Sequence, residues 1–282
     1  MIKKSKLAKV VLAALLTIGM SACASTEDEL PDLSSMGKIG TVSREEGSGT
    51  RSQFESLLNL SEVSSKSIAY STEDVLSKVQ EDKNAIGYVA YSSTKDIDAK
   101  VLQIDGVSPS EKTIKKNNYP LCRNYYLAYN GELSDVETDF LNYVMSQGQD
   151  IVNEYCVPCQ DSSSFLSNQS VGTIRIEGST SMEAMVKALV ESYQQLNPNA
   201  TIEVVANDSS EGLNAAIRGE CDFAMSSREL KDYEQELLES KSIGKDAVAI
   251  VVNKDNPLDN LSVDLLTKIY NGDYKKWEDL SK

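Results

Sequence analysis

Histidine is absent from all 282 residues. With no imidazole poised near neutrality, Ser-His-Asp and Cys-His nucleophile systems have no general base, and a metal site loses its commonest nitrogen ligand. No G-x-S-x-G elbow and no Walker A loop occurs either, since Gly47-Ser48-Gly49 runs into Thr50-Arg51 where a P-loop needs Gly-Lys. Ser-x-x-Lys does occur, at Ser92/Lys95 and Ser242/Lys245, but four-residue matches arise by chance in a chain rich in serine and lysine. Catalysis is thus unsupported, and no enzyme is expected. Basic residues are also scarce: 28 Lys and Arg stand against 43 Asp and Glu, a formal net charge of −15. Nucleic acid and anionic membrane surfaces are therefore disfavoured as partners.

Cysteine is sparse, and only one C-x-x-C occurs, Cys156-Val157-Pro158-Cys159. A metal there would have to recruit Cys122 or Cys221 from far away in sequence, so no metal and no other cofactor is expected. The pair has a structural or incidental role, with one disulfide left open. Cys23 stands apart. Lys3, Lys4, Lys6 and Lys9 form a basic region, and the apolar run from Val10 to Met20 is too short to cross a bilayer comfortably. This is a secretory signal over residues 1–22. The stretch Met20-Ser21-Ala22-Cys23 resembles a bacterial lipobox, which would make Cys23 the lipid-modified first residue, at the extracytoplasmic face of the cell membrane. An uncleaved anchor, or a plain signal with a chance cysteine, is the alternative. Residues 23–37 follow as a polar tether with no apolar period. About 245 residues remain, enough for one large domain or two lobes.

What is present reads as repeated strand-loop-helix units. Thr173 to Glu177 alternates like a strand, and Gly178 to Ser181 forms a turn. Met182, Met185, Val186, Leu189, Val190, Tyr193 and Leu196 then mark one face of an amphipathic helix that Asn197-Pro198-Asn199 ends. Thr201 to Ala206 reads as a second strand, Asp208 to Gly212 opens a helix through Ile217, and Cys221 to Met225 is a third strand. The alternation predicts an α/β fold with parallel strands, whose ligands sit beyond the strands' carboxyl ends.

Small hydroxyl residues stand where each of these helices begins. Thr180 with Glu183, and Ser52 with Glu55, have capping-box spacing, and any one such residue is adequately explained as a helix cap. Four polar turns together are harder to dismiss: Ser179 to Ser181, Ser209-Ser210, Ser226-Ser227 and Ser48 to Thr50. They offer backbone N–H groups, hydroxyls and positive helix ends suited to a tetrahedral oxyanion. An acidic chain can still bind an anion this way, because fixed dipoles act at contact distance while scattered carboxylates are screened over about 8 Å.

The segments "EGSTSM", "NDSSEG", "GECDFAMSSREL", "VSREEGSGTR" and "AIGYVAYS" resemble the phosphate-binding protein of bacterial ABC phosphate transporters over most of residues 38–282. The resemblance implies a two-lobed periplasmic-binding-protein fold of type II. It also implies reversible capture of inorganic phosphate between the lobes, with delivery to the transmembrane subunits of an ABC permease. A phosphate-sensing or adhesive surface lipoprotein without a transport role, and a phosphoester-processing enzyme on the same scaffold, are the alternatives. The order of segments departs from the family's: GSTS and SSREL come first there, and SREEGSGTR follows. Here residues 172–282 look like the family's first half and residues 38–160 like its second. This order looks like a circular permutation, with 160–172 as its linker.

Carried over residue by residue, the resemblance implies that Ser179, Thr180, Ser181, Ser210, Ser226 and Ser227 grip the anion from one lobe. Arg44, Ser48, Gly49 and Thr50 grip it from the other. Some family members place an aspartate at the position of Ser227, accepting the proton of hydrogen phosphate; Asp208 or Glu46 are the possible substitutes here. Arg51 and Arg228 are expected in ordinary ion pairs, and Tyr125, Tyr126 and Tyr129 in core or interlobe packing. The GSGT lobe is expected over 38–92 plus 254–282, the GSTS lobe over 98–250, and the hinge near 93–97 and 251–253. A monomer is expected. Swapped halves pairing between molecules, as in a chain cut from a tandem array, would give a dimer instead.

Overall fold

The computed structural model describes residues 30–61 and 67–281; the expected signal segment, Cys23 and the first part of the tether lie outside them. In chain order the main elements are β1 (Gly40–Arg44), α1 (Gly49–Leu57), β2 (Ser67–Ala69), α2 (Thr72–Glu81) and β3 (Ala85–Ala90), then β4 (Lys100–Val101), β5 (Gln103–Ile104), α3 (Glu111–Lys115) and β6 (Cys122–Tyr129). Next come α4 (Asp135–Val144), α5 (Gly148–Tyr155), β7 (Val157–Pro158), β8 (Gly172–Ser179), α6 (Glu183–Leu196), β9 (Ala200–Asn207) and α7 (Ser209–Arg218). β10 (Phe223–Ser226), α8 (Asp232–Leu237), β11 (Glu239–Val252), β12 (Asn260–Leu261) and α9 (Val263–Asn271) complete the set.

One long strand organises the molecule. β11 pairs antiparallel with β6 from Glu239 to Ala247 and with β3 from Val248 to Val252. The sheet runs β2-β1-β3-β11-β6-β10-β8-β9, with β4 and β7 also on β11. Each half of that path carries its own lobe. In one, Phe54, Tyr88, Ile250, Tyr270 and Trp277 pack together, with a second cluster of Val42, Val75, Val79 and Val251. In the other, Tyr125, Phe140, Ile176, Val186, Tyr193 and Phe223 form the core. The spacing read for α6 is the packing observed, since Met185, Val186, Leu189, Val190 and Tyr193 are all buried. All six residues of β3 are buried, as expected of a strand covered on both faces.

The sheet is mixed where parallel strands were expected. β8, β9 and β10 pair in parallel, as do β1, β2 and β3, but β6 and β11 run antiparallel to their neighbours, β11 passing from one lobe to the other. The crossings differ from the expected 93–97 and 251–253. They lie at Leu121/Cys122, where β6 begins, and at Ala247/Val248, where β11 changes partner. The segment from residue 98 to 121 also changes lobe. Leu102, Ile104, Ile114, Tyr119 and Leu121 are buried against the core of Phe54 and Tyr88, which corrects both the 98–250 boundary and the 38–92 one. The two ends of the folded chain meet: Ile39 N–H donates to the Lys275 carbonyl at 3.0 Å, and Trp277 N–H donates to the Gly37 carbonyl at 3.2 Å. All four described cysteines are free thiols, so Cys156 and Cys159 form no disulfide here.

Candidate functional site

β1, β8 and β10 each end in a polar turn at the carboxyl edge of the sheet, and these turns face one another across the two lobes. β1 delivers Arg44; a tight turn at Gly47, where φ is 92°, then starts α1 at Gly49. From the other lobe β8 delivers Ser179, followed by a 3₁₀ turn over Thr180–Met182, while β10 delivers Ser226 and the following Ser227. α7 begins at Ser209, capped by Asp208.

The two expected capping boxes are absent, and the reason bears on the site. α1 is capped by Ser48, whose Oγ accepts from Arg51 N–H, so Ser52 lies inside the helix. α6 begins after Met182 with no side-chain cap. Thr180 is thereby released from capping. Its Oγ1 accepts from Arg44 Nη2 at 3.2 Å.

Other contacts knit the turns together. Thr50 Oγ1 and Ser181 Oγ are 2.8 Å apart, Ser179 Oγ donates to Ser227 Oγ at 2.9 Å, and Ser209 Oγ accepts from Ser227 N–H at 3.1 Å. Ser210 N–H donates to the Gly47 carbonyl at 3.3 Å, tying the lobes together again. Gly49 lies hard against Ser209 and Ser227. Arg44, Ser48, Thr50, Ser179, Ser209 and Ser227 are all buried, Thr180, Ser181 and Ser210 partly so. Buried hydroxyls must be hydrogen-bonded, and hydroxyls can exchange donor and acceptor roles, so this cluster can regroup around an oxyanion between the lobes.

Ser226 is the expected site residue that faces away. Its Oγ donates to the Arg228 carbonyl at 2.8 Å within its own turn. Arg44 is engaged more fully than expected: Nε and Nη2 form a fork to Glu45 at 2.7 and 2.6 Å, leaving Nη2 to reach Thr180 as well. Burial pushes the Tyr88 phenol up to about 12, so it stays a neutral strut beneath this loop, accepting from Arg44 N–H. Of the suggested proton acceptors, Asp208 caps α7 beside Gly47, and Glu46 is exposed.

Arg51 pairs with Glu55 as expected, whereas Arg228 makes a buried two-bond pair with Glu234 and its Nη2 also donates to Ser210 Oγ at 3.2 Å. Burial alone would raise the Glu234 carboxyl, but Arg228 and the Lys231 N–H hold it below its ordinary 4.5. A depressed carboxylate contributes stability that is complete above the unfolded value and is lost as pH falls through the folded one. Glu234→Gln is therefore expected to flatten the acid limb of the stability curve below about pH 4.5. Thermal melts at stepped pH check this; an unchanged acid limb would count against it.

Sequence reading missed Arg123 and Asp246, and it named Ser209 only as part of its polar turn, not among the residues that grip the anion. Arg123 sits on β6 with its guanidinium on Asp246 of β11, and neither side chain is exposed. A period-2 reading of "CRNYYLAY" places Arg123 on the face of Tyr125 and Leu127, and a charge on a core face was the available signal. Among the described residues no group of His, Cys, Asp and Glu could hold a metal ion, and no helix is long and apolar enough to cross a membrane.

A family model described as a PBP superfamily domain matches residues 6–147 and 163–282. The phosphate-binding protein PstS 2 of Streptococcus pneumoniae serotype 4 is 33% identical over 290 residues, covering 98% of this chain and 99% of its own. The phosphate-binding protein PstS of Staphylococcus haemolyticus is 39% identical over 118 residues, covering 39% of this chain and 37% of its own. Among solved structures, a phosphate-binding protein of a phosphate ABC transporter from Streptococcus pneumoniae TIGR4 is 34% identical with a TM-score of 0.72, covering 87% of this chain and 100% of that one.

Proposed function

The chain belongs to the phosphate-binding proteins of bacterial ABC phosphate transporters, a branch of the PBP superfamily, and from that premise we propose that it captures inorganic phosphate between its lobes and hands it to an ABC permease. The observation that carries this reading is the meeting of hydroxyl and guanidinium donors from both lobes, Thr50 with Ser181 at 2.8 Å and Arg44 with Thr180 at 3.2 Å. Phosphate entering there would exchange those contacts for its own oxygens. Ser179, Thr180, Ser181, Ser210 and Ser227 would then grip it from one side, and Arg44, Ser48, Gly49 and Thr50 from the other. Closing on the ligand would bury it and give the permease a distinct surface to read.

Cys23 anchors the protein by lipid at the extracytoplasmic face, on the reading of residues 20–23 as a lipobox. The segment order is permuted relative to part of the family only, since the streptococcal PstS 2 shares it and aligns in order over 98% of this chain and 99% of its own. Two observations support the permutation. Gly37 and Ile39 hydrogen-bond with Trp277 and Lys275, so the ends lie where an unpermuted chain would run straight through. The staphylococcal relative aligns over 39% of this chain and 37% of its own, which agrees with a match in order over one half only.

Calorimetric titration of the purified protein, freed of ligand, tests the function. One-to-one binding of phosphate at micromolar Kd or tighter, about −8 kcal/mol or better, is expected. A parallel titration with sulfate measures how far Ser227 in place of a carboxylate relaxes the choice between the two anions. A folded protein giving no heat with phosphate would sink the reading.

A further inference from the structure

Arg123 projects from the start of β6, beside the crossing, into the space between the lobes. Every one of its five N–H donors is engaged. Nε and Nη2 donate to Asp246 Oδ2 at 3.1 and 2.9 Å, Nη2 also to Tyr125 Oη at 3.0 Å, and Nη1 to Thr50 Oγ1 at 2.7 Å and the Ser227 carbonyl at 3.4 Å. Asp246 is held in turn from both lobes, by Tyr125 Oη at 2.6 Å and by Ser92 N–H at 2.9 Å. One edge of the guanidinium is thus pinned at the crossing strands. The other edge reaches two of the turns that face the cleft.

A guanidinium can only donate. Its bond to Thr50 therefore takes a lone pair of Oγ1, and the hydroxyl proton of Thr50 must point elsewhere. Ser181 Oγ receives it in this conformation or donates in its place, and a bound oxyanion is the natural recipient in the loaded one. We propose that Arg123 is a positioning residue for anion capture, fixing Thr50 as a donor toward the bound anion. The inference rests on the phosphate reading above and adds a residue to its machinery.

Stability alone does not call for such a group. Replacing a buried ion pair by apolar side chains of similar size is often neutral or stabilising, so the pair is poorly explained as a fold-holding device. Donor orientation is a better explanation, because an oxyanion needs donors and an unconstrained hydroxyl can turn either lone pairs or proton toward it. The polarity fits as well: the cation lies on the Thr50 and Ser227 side, the carboxylate on the strand side. Burial works against the guanidinium's charge, but Tyr125 and Asp246 hold its pKa above the ordinary value, so the donor set stays complete.

The test is a double-mutant cycle in the full chain, with phosphate Kd read by calorimetry. Arg123→Met is combined with Asp246→Asn so that neither charge is left buried alone, and the pair is measured with Thr50 intact and with Thr50→Val. If Arg123 acts through Thr50, the pair is expected to lose about tenfold or more in affinity with Thr50 present and less than about threefold without it. Equal losses in both backgrounds, as a general structural role would give, or no loss at all, would overturn the proposal. Should the pair lack the circular-dichroism spectrum of the parent, Arg123→Lys decides by the same cycle, since it keeps the charge but not the planar fork. It should lose about threefold or more only where Thr50 is present; a loss independent of Thr50, or none, overturns the inference. A parent protein that binds no phosphate overturns the functional reading itself, and that failure shows before any variant is compared.

Discussion

Gly49→Ala is expected to weaken phosphate binding by about fivefold to a hundredfold or more while leaving the fold at least as stable as before. Gly49 opens α1 in one lobe, and a Cβ built on it would lie 2.0 Å from Ser209 Oγ and 2.6 Å from Ser227 Oγ in the other. Rotation of the hydroxyls does not relieve the overlap, because the Ser209 Cβ itself would lie 2.8 Å from the added methyl group. Overpacking of this kind costs about 1–3 kcal/mol, which becomes that range of affinity when it arises only on closure. With the lobes apart the methyl group would be clear of Ser209 and Ser227, and since alanine is the better helix former by roughly 1 kcal/mol in a helix interior, the gain at this first helical position is at most that. Binding and stability should thus move in opposite directions. Titration beside a thermal melt reads both, and unchanged phosphate affinity would mean that the ligand is held with the lobes further apart than in this structure.

The contact at Gly49 also shows what could be read from sequence and what could not. The turns were legible because each stands at the end of an apolar alternation, and all but Ser226-Ser227 also open a 3.6-residue period. The helix opening after Ser179 and the one opening at Ser209 could be placed from Met185 to Leu196 and from Leu213 to Ile217 alone. The resemblance of "SREEGSGTR" and "SSREL" to family segments then set the turns against one another. Partner choice within the sheet was not legible. Residues 98–121 contain short alternating stretches whose apolar residues suit either lobe, and only the pairing of β4 with β11 and of β5 with β12 assigns them to the core of Tyr88 and Trp277. The crossing was misplaced for the same reason. β11 is one uninterrupted run from Glu239 to Val252, and nothing along it marks where β6 gives way to β3. Asp246 was invisible on that count, since its meaning comes from Arg123, more than a hundred residues earlier.

Asp246→Ala should be strongly destabilising, with an expected loss of about 3–5 kcal/mol, because it strands a charge that the fold cannot expose. Asp246 and Arg123 both have side chains with no solvent exposure. Removing the carboxylate leaves two guanidinium donors without an acceptor and frees the Tyr125 hydroxyl and the Ser92 N–H in the same place. For a chain of this length the loss corresponds to a fall in melting temperature of roughly 6–20 °C. The companion variant sharpens the meaning: adding Arg123→Met to Asp246→Ala removes the stranded cation and should restore most of the loss, the two changes being strongly non-additive. Denaturant unfolding of parent, single and double variants measures both quantities. A single variant losing less than about 1 kcal/mol would show that water reaches the crossing and that the pair is not truly buried. A double variant no more stable than the single would mean that the carboxylate matters through Ser92 and Tyr125, as the clasp between the lobes, more than as the counter-charge of Arg123.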